Sequence, residues 1–161
     1  MYIDVFHSLV KWVKTSMAAV RTVEVVWEKD LLTGRGSVKM GSEALPEFPV
    51  TWASRTEASG GKTSPEELLA AAHASCYAMA LSATLARNRT PPERLSVTAQ
   101  CTFDKVGDGF KVTTMELTVR GKVPGLEQSA FQEVAQVAEK TCPISNAIRN
   151  NVEITLTAGL N

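Results

Sequence analysis

The stretch Ser64-Pro65-Glu66-Glu67-Leu68-Leu69-Ala70-Ala71-Ala72-His73-Ala74-Ser75-Cys76-Tyr77-Ala78-Met79-Ala80-Leu81 decides how the rest of the chain is read. Ser64 can cap a helix, Pro65 suits the first helical position, and Glu67 stands where a capping box would be completed. Glu66 and Glu67 complement the positive end of the dipole. The pattern predicts a helix running to about Arg87, with almost no charge between Leu68 and Leu85. A helix that is apolar all round is a buried helix. It belongs at the centre of the protein, and a subunit interface is the natural way to cover sides that one small domain leaves bare.

Upstream, Val23, Val25 and Trp27 alternate with Thr22, Glu24 and Val26, which predicts a half-buried strand over 21–27. Gly34 turns it back into a strand over 35–40, Pro46 and Pro49 mark a loop, residues 50–54 read as a short strand, and Gly60-Gly61 lie in a loop. Downstream, Pro91-Pro92 close the helical section. Leu95, Val97, Ala99, Cys101 and Phe103 alternate along one strand, and Met115, Leu117 and Val119 along the next, joined by Gly107-Asp108-Gly109. A second helix is expected over 127–141 with Phe131, Val134, Ala135 and Ala138 on one face. A short third helix opens at Cys142-Pro143, and a last strand covers 152–158. This order of strands, helix, strands, helices and strand predicts an α+β fold with antiparallel sheet.

Residues 1–20 stand apart as an N-terminal extension to a domain over 21–161. Ile3, Phe6, Val10, Val13, Met17 and Val20 recur three and four apart, the spacing of an amphipathic helix. Asp4, Lys11 and Lys14 interrupt it, so it holds no apolar run of the length that a signal core or a membrane span requires. Met17 could itself open the domain that follows.

The 161 residues suit one domain with its own core. Lys plus Arg and Asp plus Glu both number 17, so overall charge points to neither nucleic acid nor an acidic membrane surface. Three cysteines without a C-x-x-C, and only His7 and His73 as histidines, argue against a disulfide scaffold and a closed zinc site. The expectation is a cytoplasmic protein without metal or cofactor, in which cysteines serve chemistry.

Read singly, the cysteines are ambiguous. Cys76, in an apolar helix, would have its thiol pushed up by desolvation and reads as a small packed hydrophobe unless a fixed cation stands near. A drop in thiol pKa from about 8.5 to 6 would turn a few per cent of thiolate into a majority at neutral pH. Arginine suits that task because it keeps its proton. Cys142, before Pro143, sits at a helix cap where unpaired N–H groups favour a thiolate. Cys101 reads as strand packing. His73, three residues before Cys76, makes a Cys–His pair conceivable, beside the plainer reading of a core histidine.

Together, S-P-E-E-L-L-A-A-A-H-A-S-C-Y-A-M-A-L, D-K-V-G-D-G-F and C-P-I-S-N-A resemble the OsmC/Ohr family of thiol-dependent hydroperoxide reductases, over roughly 21–158. The histidine of A-A-A-H-A-S-C and the Ile after Cys142-Pro143 resemble the OsmC branch. The resemblance implies Cys76 as peroxidatic cysteine, Cys142 as resolving cysteine, Arg55 as the arginine that stabilises the thiolate and Glu66 as the acid that orients it. It also implies antiparallel sheets around long buried central helices in an intertwined homodimer. Helical geometry agrees, because ten residues separate Glu66 from Cys76, about 15 Å of rise. Two such helices crossing antiparallel would bring the start of one to the middle of the other.

The expected activity is reduction of an organic hydroperoxide to its alcohol through a Cys76 sulfenic acid and a Cys76–Cys142 disulfide, in stress defence. The partners implied are that peroxide and an external dithiol, of lipoyl type by resemblance. Two other classes use the same residues: a redox sensor or binding protein that switches with the cysteine pair, and a Cys–His hydrolase built on His73 and Cys76.

Overall fold

A computed structural model describes residues 18–161. The amphipathic stripe read over residues 1–20 lies almost wholly outside the described residues. Six strands and four helices follow in order: β1 (Val23–Glu28), β2 (Arg35–Met40), β3 (Phe48–Val50), α1 (Trp52–Thr56), α2 (Pro65–Arg87), β4 (Arg94–Val106), β5 (Gly109–Lys122), α3 (Gln128–Thr141), α4 (Pro143–Ile148) and β6 (Glu153–Leu160). They form two three-stranded sheets, ordered β1-β2-β3 and β4-β5-β6. The α+β class expected from the element pattern is the class observed.

The second sheet carries the core. Along β5, Met115, Leu117 and Val119 are buried while Glu116, Thr118 and Arg120 face outward, the period-2 pattern of a sheet covered on one side. The cover is helical: Tyr77, Leu81 and Leu85 of α2 and Phe131, Ala135 and Ala138 of α3 join Leu117 and Val119 in one buried cluster. Phe131 lies so close to Gly121 that a Cβ there would come within 2.7 Å of its ring. Helix and sheet can meet this closely only over a residue without a side chain.

Sheet polarity departs from expectation at one place. β4 and β5 form the antiparallel hairpin, but β6 lies parallel to β5, with Leu117 opposite Leu156. The reason is the connection: α3 and α4 carry the chain back across the sheet before β6 begins, as a parallel pair requires.

Three local readings are corrected. Residues 50–54 are not a strand; β3 ends at Val50, and Thr51 caps α1 in a reciprocal capping box with Ser54. The T-x-x-S spacing was the available signal. Ser64 caps α2 through the Glu67 amide as expected, but the Glu67 carboxylate accepts from the Thr63 hydroxyl at 2.6 Å rather than closing the box. Finally, β1 is not half-buried, for all six of its residues are exposed, Val25 and Val26 on opposite faces alike.

The central helix is also less buried than its composition implied. Within one chain α2 buries Ala70, His73, Tyr77, Leu81 and Leu85, while Ala71, Ala72, Ser75, Met79 and Ala83 are exposed. Met79 is 66% exposed. The sheet and α3 cover one face of α2, and no element among the described residues covers the other.

Candidate active site

Arg55 is delivered to Glu66 by a chain of small polar contacts. The Ser54 hydroxyl donates to the Thr63 carbonyl at 3.1 Å, and Val50 forms a parallel bridge with Thr63, so the loop between α1 and α2 closes on itself. Gly60 and Gly61 make this turn at φ +55° and +75°, where a Cβ would be strained. Arg55 then projects from the last turn of α1 toward the first turn of α2. Its Nε and Nη2 donate to Glu66 Oε1 at 2.9 and 2.6 Å.

An aromatic group supports that pair. The Arg55 guanidinium lies 3.8 Å from the Phe103 ring centroid and 5.8 Å from that of Trp52. Phe103 stacks on Phe110 at 5.1 Å, and Trp52 meets Phe110 edge-on at 5.4 Å. A bulge in the β4–β5 register between Thr102 and Phe103 adjoins this cluster. Bulges commonly re-aim a side chain at a site. Glu66 Oε1 takes both guanidinium contacts, while the buried Oε2 has no partner among the described residues.

The cysteines meet elsewhere. Cys142 is wholly buried at the cap between α3 and α4, and Cys76 is half-buried on α2 beside it; both are free thiols. Burial pushes the Cys76 thiol up. The Ile144 N–H facing the sulfur pulls it down, and the adjoining Cys142 pushes it up again. No cation among these influences offsets the burial. Met79, Ala80, Ala83, Thr141 and Pro143 line a shallow depression beside Cys76, and Arg87 at its edge is turned to the Thr84 hydroxyl at 3.0 Å.

The structure therefore brings the four residues together as two pairs, Arg55 with Glu66 and Cys76 with Cys142. The pairs stand about 15 Å apart along the axis of one unbroken helix. His73 does not pair with Cys76. It is wholly buried, its Nε2 lies 2.7 Å from Ser145 Oγ, and burial lowers its pKa. A neutral imidazole occupied in this way is a poor base for a Cys–His hydrolase. Cys101 packs beside Ala70 and Met115, its thiol pushed up by burial and by the charge of Glu66.

Sequence reasoning missed Trp52, Phe103, Ile144 and Ser145. The aromatic contacts depend on three elements meeting, and no local spacing announces them. Ser145, third in its helix after Pro143, was visible as a capping-type residue, but its bond to a residue 72 positions away was not.

Comparison with known proteins places the fold and the motifs in one class. The model of OsmC-like proteins matches residues 58–157. Peroxiredoxin OsmC of Escherichia coli (strain K12) is 39% identical over 130 residues, covering 81% of this chain and 89% of that protein. An organic hydroperoxide resistance protein of Xanthomonas axonopodis pv. citri (strain 306) is 33% identical over 101 residues, covering 62% of this chain and 69% of its own. Among solved structures, an organic hydroperoxide resistance protein from Elizabethkingia anophelis superposes with a TM-score of 0.72 at 27% identity, covering 90% of this chain and all of that one. The chain belongs to the OsmC-like family.

Proposed function

We propose that this chain is a thiol-dependent peroxidase that reduces organic hydroperoxides to alcohols. The names of its relatives support the peroxidase class. The observation that carries the two-cysteine chemistry is the juxtaposition of Cys76 and Cys142 as free thiols at the junction of α2 and α4.

In this reading the Cys76 thiolate attacks the distal oxygen of the hydroperoxide. The O–O bond breaks, the alkoxide takes a proton and leaves as alcohol, and Cys76 becomes a sulfenic acid. The Cys142 sulfur then attacks the Cys76 sulfur, the S–O bond breaks, and water leaves with the Cys142 proton. An external dithiol restores both thiols by two exchanges and is itself oxidised to a disulfide. The apolar residues beside Cys76 suit an alkyl-bearing peroxide better than hydrogen peroxide.

A cation is still needed, because burial alone pushes Cys76 the wrong way. Arg55, held by Glu66, supplies it in a homodimer whose α2 helices cross antiparallel. The exposed Ala71 and Ala72 lie about midway between Glu66 and Cys76, with exposed Ser75 next to the cysteine, and these small residues allow two backbones to approach closely there. Exposed Met79 and the bare β1 support the same arrangement, since each leaves an apolar face uncovered by the described residues of one chain. The site would then be composite, with Arg55 and Glu66 from one protomer and the two cysteines from its partner.

The test is turnover of tert-butyl hydroperoxide with a small dithiol, followed with mass measurement of the protein. The parent should cycle many times, Cys76→Ser should abolish turnover, and Cys142→Ser should give a single turnover ending in a sulfenic acid. Unchanged steady-state turnover in either variant would sink the two-cysteine cycle. A redox sensor would form the same disulfide without multiple turnovers.

A further inference from the structure

Cys142 can resolve a sulfenic acid only if α4 is held in register against α2, and α4 is a poor candidate to hold itself. It has six residues, and its cap, Cys142, makes no side-chain capping bond. Ser145 occupies the position from which a side chain could reach back to the cap, but its hydroxyl instead crosses to His73 Nε2 at 2.7 Å. Both residues are wholly buried, so water does not compete for the bond. His73 stands one turn before Cys76 on α2, and Ser145 one turn after Cys142. The bond thus runs beside the two sulfurs and joins the two helices that carry them.

The other end of α4 has a different anchor. Arg149 Nη2 donates to Glu139 Oε1 at 2.7 Å, with Arg149 Nε on Asn146 at 3.3 Å. This anchor ties α4 to α3 and is partly exposed, at 37% for the Arg149 side chain. It leaves the cysteine end of α4 to the histidine. The His73 ring also carries a cost that plain packing would not require, because its Nδ1 is buried without a partner among the described residues. An apolar side chain of similar size would fill the space with no orphaned nitrogen. The serine bond is the one polar contact the ring gains among the described residues in return.

We infer that the His73–Ser145 hydrogen bond is a strut that sets the approach of Cys142 to Cys76, making His73 and Ser145 positioning residues for disulfide formation. The inference rests on the peroxidase reading for its role in turnover, but the strut itself concerns only how the two thiols meet.

The experiment oxidises the reduced full-length protein in two arms. One equivalent of tert-butyl hydroperoxide is added in the presence of a sulfenic-acid trap, and separately diamide, which takes two electrons and two protons from a thiol pair and becomes the hydrazine. His73→Leu and Ser145→Ala should slow Cys76–Cys142 disulfide formation at least tenfold in both arms. In the peroxide arm the trapped sulfenic acid should rise correspondingly, while consumption of the first equivalent of peroxide stays within threefold of the parent. His73→Gln, whose amide can replace Nε2 as partner of Ser145, should return disulfide formation to within threefold. A generally loosened structure would change both steps together and gain nothing from glutamine. Disulfide formation at parental rate in Ser145→Ala, which removes a single oxygen, overturns the strut even if His73→Leu does not fold. A parent that forms the disulfide with diamide but not with peroxide overturns the peroxidase reading and leaves the strut to be judged from the diamide rates.

Discussion

At the start of α2, Glu66 holds the Arg55 guanidinium on a platform of Phe103 and Trp52; about three turns later on the same helix, Cys76 lies against a second thiol with no cation acting on it. The first region is tightly tied, with an arginine that among the described residues meets no anion beyond its own glutamate. The second is largely apolar and raises the pKa of the thiol it must ionise. Each region lacks what the other has. The proposed peroxide attack would need both, so the composite dimer stands or falls with the distance between them, and each prediction below tests the separation.

The largest effect should come from emptying the first region. Arg55→Met should lower the second-order rate with organic hydroperoxide by about 10²- to 10³-fold, the cost of losing one well-placed charge stabiliser in a water-poor site. Stopped-flow peroxide consumption measures it, and a loss below threefold would separate Arg55 from the chemistry.

Mixing subunits sharpens the comparison further. In a heterodimer of Arg55→Met and Cys76→Ser, a composite arrangement leaves one site with both lesions and the other with none, so activity should recover to about half the parental value. Sites built within single chains would both stay dead. Co-expression with two affinity tags isolates the heterodimer.

The pH profile gives a smaller but signed effect. Burial raises the Cys76 thiol above its ordinary value in the isolated chain, so the rate in Arg55→Met should rise with pH to a midpoint above that value, and the parental midpoint should lie below it. The same shift has a stability sign. In Arg55→Met the folded thiol prefers its proton, so its contribution is complete below the unfolded thiol pKa and is lost as pH rises through the folded one. Absorbance of the thiolate against pH reports both midpoints.

The mildest change should come from the platform. Phe103→Leu removes a cation–π contact of about 0.5–1 kcal/mol and should cost roughly two- to fivefold in peroxide rate. A larger loss would mean that Phe103 touches the substrate as well as the arginine.

The two regions also differed in how much of them could be read from sequence. Capping and alternation are local, so the start of α2 at Ser64-Pro65, the β4–β5 hairpin and the cap at Cys142 were legible residue by residue. Both cysteines and Glu66 were legible through their surrounding strings. Arg55 could be named but not placed, because α1 forms through a Thr51–Ser54 box in a segment that read as strand. The parallel pairing of β6 and the reach from His73 to Ser145 depend on tertiary return of the chain, which no window of local sequence contains. Exposure was misread for β1, where alternation promised burial that the described residues do not provide, whereas the bare face of α2 is the one that so small a domain was expected to leave.

The wide sequence separation of Cys76 and Cys142 has a thermodynamic side. A bond between them would close a loop that contains all of the β4–β5 hairpin and α3. A cross-link spanning a loop of that length removes about 4 kcal/mol of chain entropy from the unfolded ensemble. Oxidation would then do more than store two electrons. It would briefly make the molecule harder to unfold and to proteolyse, with reduction returning it to ordinary stability, so resistance to a protease would track the redox state of the pair.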